Sequence, residues 1–278
     1  LDEQRNIDKL REYYMKSLPV LQESFYTALI EDRIPEEQIE KYALNYQVEL
    51  DGPYYVIAIL HISKHQQEDM LLDPFFLAVS VKRLAEEQLT QKWKSKILTY
   101  LSDVLVIAQL PEMESITTFT DEMDRFCKMA KRVCSATVTA GIGYVCNQLA
   151  QLSLSYNGAR NAVSYRVLYG NTRAINIVEM EPQESLDRQW EATYIERILK
   201  KVKIGEQEPL EKAIREFTDC IAAAKMSMQN YRTILMELLA EIFRFLNNNH
   251  IEVQDIFGSD NDIYNQALQL DSTEALKD

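Results

Sequence analysis

The sequence predicts an α+β protein: a mixed β-sheet with helices packed on it, preceded by N-terminal helices and followed by a C-terminal helical domain. Three observations predict this. Between residues 53 and 180, short apolar runs alternate with amphipathic segments in the order β-α-β-β-α-β-α-β. Before residue 50 and after about residue 186, the apolar patterns all have helical spacing. The 278 residues include only 7 Gly and 7 Pro yet are 46% hydrophobic, a helix-rich composition able to bury a core. The chain divides accordingly into a helical connector (1–50), an α/β domain (51–182) and a helical domain (183–278).

The elements follow in order. In residues 1–30, Leu10, Tyr14, Leu18, Leu21, Phe25 and Leu29 form one helical stripe. Pro19 falls inside it and predicts a kink or a fresh helix start, because proline removes a backbone donor and crowds the preceding turn. The stripe suits a parallel coiled coil between two chains, or packing back onto the chain's own sheet; its spacing selects neither. Pro35 opens a short helix to about Leu44, with Glu36 and Glu37 at its positive end. Asp51-Gly52-Pro53 is a turn, and residues 54–62 read as a central strand.

Residues 74–93 form the next helix, with Ala78, Val81, Leu84, Ala85 and Leu89 inward. Residues 97–101 and 104–110 then read as a hairpin turning at Ser102-Asp103. A helix over 118–133 places Phe119, Met123, Phe126, Ala130 and Val133 on one face. Residues 138–142 suit a buried strand running into Gly141-Ile142-Gly143, where backbone must approach closely. Leu152, Tyr156, Ala159, Val163 and Val167 recur at helical spacing until Gly170-Asn171 stops them. Residues 174–178 look like a further strand.

Everything later is helical. Its stripes are Tyr194, Ile198 and Val202; then Leu210, Ala213, Ile214, Phe217 and Ile221; then Ile234, Leu235, Leu238, Ile242, Phe243 and Leu246, stopped by Asn247-Asn248-Asn249. A polar loop around Gly258-Ser259-Asp260 precedes a last helix over 263–270. No internal repeat or low-complexity tract is visible.

A formal net charge of -13 repels phosphate backbones and argues against nucleic-acid binding through a broad basic face. The four cysteines, Cys127, Cys134, Cys146 and Cys220, include no closely spaced pair, which points to a reducing, cytoplasmic setting. The longest apolar runs are far too short to span a membrane. A charged opening without an initiator Met is read as the start of a piece cut from something longer, with no signal peptide.

Candidate chemistry is sparse. His61 and His65 are four apart, but metal geometry at that spacing needs a helix, and His61 lies at a strand end. His250, after three asparagines, reads as a C-terminal cap. Gly141-Ile142-Gly143 lacks the third glycine of a dinucleotide fingerprint, since Cys occupies position 146; the glycines instead let strand and helix pack closely. Tyr165-Arg166 offers a ring and a base to a ligand or partner; a half-buried ring and a solvated guanidinium is the plainer expectation.

Taken together, Gly141 to Gly143, Ser155-Tyr156 with Ala159 and Ala162, and Tyr165-Arg166 before Leu168 and Gly170 carry a resemblance. The chain resembles the degenerate GGDEF-like domain of AraC-type two-component response regulators, with nucleotide-cyclase topology. In this resemblance Leu18-Pro19-Val20-Leu21, Phe25 and Leu29 look like the connector after a receiver domain. Ile256-Phe257-Gly258 and the final 271–276 look like the lead into an AraC-type helix-turn-helix pair.

The resemblance also identifies what is missing. An active diguanylate cyclase carries Gly-Gly-Asp/Glu-Glu-Phe at the hairpin, with a second metal carboxylate at the end of the first strand. Here the turn reads Leu101-Ser102-Asp103-Val104, so glycine is absent and one carboxylate remains, expected to face solvent. The first strand ends Leu60-His61-Ile62-Ser63-Lys64-His65, without Asp or Glu. Two-metal phosphoryl chemistry has no ligands to run on. The expectation is a non-enzymatic regulatory module with no catalytic residue, metal or cofactor. It would couple receiver phosphorylation or a ligand to a DNA-binding domain outside this chain, as a homodimer; a small-molecule or nucleotide sensor is the alternative, and a surviving cyclase a remoter one.

Overall fold

A computed structural model describes residues 2–48, 52–63, 74–180, 189–205, 207–224, 226–257, 263–268 and 270. The chain forms two compact units, one of residues 1–163 and 172–178, the other of 164–171 and 179–278.

The first unit is built on a five-stranded sheet of order β2-β3-β1-β4-β5. Its strands are β1 (Tyr54–Ile62), β2 (Ser95–Tyr100), β3 (Asp103–Leu110), β4 (Val138–Ile142) and β5 (Ala174–Asn176). All neighbours are antiparallel except β4 and β5, which run parallel. The predicted α+β class and strand-helix order stand. β5 is shorter than expected, because the chain coils into a 3-10 turn at Ile177–Met180.

β1 sits between β3 and β4 and is covered on both faces, which explains a nearly continuous apolar run instead of alternation. Val56, Ala58, Leu60 and Ile62 face a layer made by α3 (Pro74–Leu89) and α4 (Ser115–Val133). Phe119, Met123, Phe126 and Ala130 bury there as expected; Val133 does not, being 65% exposed in the last turn of α4.

Tyr55, Ile57 and Ile59 face the other layer, made by α1 (Asp2–Ile30), α2 (Glu36–Asn45) and α5 (Leu152–Ser164). The α1 stripe divides along its length. Phe25, Tyr26, Leu29 and Ile30 join this core, while Leu10, Tyr13, Met15 and Val20 stand more than half exposed. Pro19 neither stops nor restarts α1, which continues as one helix. Proline costs one backbone bond there, and burial of the downstream turns holds the rest.

Glycine is scarce, so other residues close helices by taking left-handed backbone angles. Asp32 (φ 55°) and Gln47 (φ 52°) end α1 and α2, with Arg33 and Val48 N–H groups reaching back to the Ala28 and Ala43 carbonyls.

The second unit contains α6 (Arg166–Tyr169), α7 (Gln189–Ile204), α8 (Gln207–Ala223), α9 (Met228–Asn248), α10 (Val253–Phe257) and α11 (Ile263–Leu268). Ile195, Ile198, Ala213, Phe217, Ile221, Ile234, Leu235 and Leu246 are buried, and Val202 is not. Arg197 pairs with Glu216 at 2.6 Å across α7 and α8. Tyr165 interrupts the single helix expected over 152–167, so Val167 belongs to α6. Gly170 (φ 84°) ends α6, as its position predicts. His250 closes α9 through its backbone: it takes φ 55°, and the Ile251 N–H reaches the Leu246 carbonyl at 3.0 Å. The expected loop at 258–260, the helix start near 186 and the end at 271–276 lie outside the described residues.

Candidate functional site at the hairpin corner

The β2–β3 hairpin and the end of β1 meet on the α1–α5 side of the sheet. Register brings them together. Tyr100 pairs with Asp103, so the turn residues are Leu101 and Ser102, one position earlier than the sequence predicts. Leu101 adopts the left-handed region (φ 52°) that glycine would enter at no cost. Asp103 is therefore the first residue of β3 and not a solvent-facing turn residue.

Leu60 pairs with Val104, which sets His61 beside Asp103. The His61 Nδ1 lies 2.9 Å from Asp103 Oδ1, with the side chains 18% and 30% exposed. An ionised carboxylate only accepts, so the imidazole donates through Nδ1. His61 Nε2 is buried without a hydrogen-bond partner among the described residues. His65 lies outside those residues.

Aromatic and charged groups frame this pair. Tyr100 and Tyr156 meet edge to face, with ring centres 5.8 Å apart. The Tyr100 hydroxyl donates to Glu31 Oε1 at 2.6 Å, tying the hairpin to the end of α1. That bond, then burial and the Glu31 charge, pushes Tyr100 up to about 12. The same bond lowers Glu31; burial opposes it and Arg33 assists. Burial also raises Tyr156, with Arg160 opposing and Asp103 and Glu31 adding to the rise.

Behind the corner, α5 lies unusually close to β4. A Cβ on Gly141 would fall 2.3 Å from the Ala159 carbonyl oxygen, and one on Gly143 1.8 Å from that of Ser155. The expected role of these glycines in close packing is thus met. The contact also explains Ser155, whose buried hydroxyl accepts from the Ile57 N–H at 2.9 Å. Tyr165 is more buried than expected, at 7% exposure, and its hydroxyl donates to the Met180 carbonyl at 3.4 Å.

With this geometry in place, residues 31–165 match the GGDEF-like domain family. A GGDEF-like domain spans residues 31–165. The match runs from the end of α1 to the residue after α5 and includes the hairpin corner. No curated protein and no solved structure matches the chain.

Within the GGDEF-like domain the corner has one carboxylate, Asp103, and a histidine beside it. Among the described residues no three His, Cys, Asp or Glu side chains converge as a metal-binding group. Among the described residues, too, no helix is long and apolar enough to cross a membrane. The four cysteines are free; burial pushes Cys127 up to about 12, consistent with a small core side chain.

Proposed function

We propose that this chain is a non-catalytic regulatory module that transmits a signal from one flanking domain to another. In the context the resemblance implies, the input is a receiver domain or a ligand. The output is an AraC-type DNA-binding domain, and the transmission works by pairing of two chains in a cytoplasmic regulator.

The hairpin corner carries this reading. Phosphoryl transfer on two metal ions needs convergent carboxylates and room for a triphosphate. Here Asp103 accepts from His61, the end of β1 supplies no carboxylate, and Tyr100 and Tyr156 meet edge to face beside the hairpin. What survives is a rigid sheet bonded to a long helix through Glu31 and Tyr100. A helix fixed at one end to a rigid body transmits changes of angle or register.

The exposed half of α1 supports pairing. Leu10, Tyr13 and Val20 fall on one side of the helix and stand 69%, 68% and 69% exposed. Sedimentation equilibrium on the full chain tests it. The wild type is expected to be a dimer. Leu10→Glu with Tyr13→Glu is expected to give a monomer with an unchanged far-ultraviolet spectrum. A wild type that stays monomeric at high concentration contradicts the pairing.

A further inference from the structure

Along α1, Leu10, Tyr14, Ser17, Leu21, Ser24 and Ala28 are spaced alternately four and three residues apart and form a seam on one side of the helix. None of the six is buried. Leu10 and Tyr14 stand 69% and 39% exposed, Ser17 and Ser24 are exposed, and Leu21 and Ala28 are half-buried. We propose that two copies of this chain pair along this seam in antiparallel orientation, the exposed half of each α1 lying over the cleft between α1 and α2 of the other. The inference rests on the pairing reading above and supplies its orientation and contact surface.

The first argument is the order of large and small residues. The spacing is symmetric about Pro19, so reversing one helix on the other sets Leu10 opposite Ala28, Tyr14 opposite Ser24 and Leu21 opposite Ser17. Each layer then joins a large side chain to a small one, the pairing that lets facing helices interdigitate. A parallel pair in register sets Leu21 on Leu21 and Tyr14 on Tyr14, and stacks Ser17 on Ser17 and Ser24 on Ser24. A two-fold axis beside Pro19 satisfies both ends of the antiparallel seam at once, because each copy carries the apolar half and the surface that receives it.

The second argument is that receiving surface. A cleft of 250 Å³ between α1 and α2 has Leu21, Ser24, Phe25 and Ala28 on one wall and Tyr42 and Tyr46 on the other. Tyr42 and Tyr46 stack with ring centres 5.8 Å apart, and Phe25 meets Tyr46 edge to face at 6.1 Å. Three of the six seam residues therefore line an aromatic cleft. Its volume falls below the range of about 300–1,000 Å³ usual for small-molecule pockets and suits side chains inserted from a helix. Leu10 of the second copy, opposite Ala28, is the side chain placed to enter it. The Tyr14 hydroxyl donates to the Asn45 carbonyl, which ties α1 to the end of α2 beside the cleft.

Charge selects the same orientation. The segments that face each other are 9–17 and 21–29. The first has Lys9, Arg11 and Lys16 against Glu12, a net +2, and the second has Glu23 alone, a net -1. Antiparallel pairing sets opposite charges together, whereas parallel pairing sets +2 on +2. Lys16 already pairs with Glu12 and Glu23 with Lys82, so these charges orient the helices more than they bind them.

The test is oxidative disulfide crosslinking of the full chain carrying Leu10→Cys with Ala28→Cys, with mass mapping of the crosslinked peptides. The unmodified chain is oxidised alongside as the control for its four native cysteines. In the antiparallel pair residue 10 of one copy faces residue 28 of the other. The two copies of residue 10 then lie about 27 Å apart along the helix, far outside disulfide reach. A covalent dimer joined between positions 10 and 28 is expected. Disulfides joining 10 to 10 and 28 to 28 overturn the orientation and leave pairing standing. Dimers by sedimentation equilibrium without a disulfide at either position overturn the seam. A chain that stays monomeric at high concentration overturns this proposal together with the pairing reading.

Discussion

A side chain added at Gly143 has nowhere to go. The opposing atom is the Ser155 carbonyl oxygen, 1.8 Å from the would-be Cβ, and it belongs to helix backbone that cannot rotate aside. Gly143→Ala is therefore expected to cost about 3 kcal/mol or more, the upper end for overpacking, in urea unfolding of the full chain. A loss within experimental error would mean that α5 is not seated on β4. The role of Gly141 and Gly143 was legible because a Gly-x-Gly at a strand end has few other physical uses. The partner of Asp103 was not. His61 is 42 residues away in sequence, and the contact depends on a register that hydrophobic pattern alone leaves open. Displacing the hairpin turn by one residue converts Asp103 from a solvated turn residue into the ordered acceptor of a histidine.

Helix α1 behaves as two segments in one uninterrupted element. Its periodicity predicted a helix but left open whether the stripe faces its own sheet or another chain. The structure buries Phe25 to Ile30 against the sheet and exposes Leu10 to Val20, a division that a periodic pattern cannot display. The Tyr100–Glu31 bond couples this helix to the hairpin and makes a pH prediction. Tyr100 titrates near 12 in the folded chain, against an ordinary value of 10, because its hydroxyl donates to Glu31. A raised folded value gives a contribution that is fully present below pH 10 and is lost as the pH rises through 12. Wild type and Tyr100→Phe, compared by urea unfolding across that interval, are expected to differ by a constant amount up to about pH 10. Above it the difference is expected to close by about pH 12. A difference that stays constant throughout would show that the bond does not hold α1 to the hairpin.

On the scale of the whole molecule, strand order follows from segment order plus burial. β1 lies inside the sheet because its residues are apolar on both faces, and β5 joins in parallel because α5 crosses between it and β4. The mixed sheet and the central place of residues 54–62 were readable from the chain, as was a GGDEF-like domain, expected over 51–182 and matched over 31–165. The non-catalytic reading we propose turns on two places where the resemblance to nucleotide cyclases implies acidic groups or glycines and this chain has His61 and Leu101. The decisive measurement is incubation of the full chain at high concentration with GTP and Mg²⁺ or Mn²⁺, followed by chromatographic and mass-spectrometric analysis of the nucleotides. The account predicts that GTP is recovered intact, with no cyclic dinucleotide and no released pyrophosphate. Formation of a cyclic dinucleotide in proportion to protein concentration would contradict it.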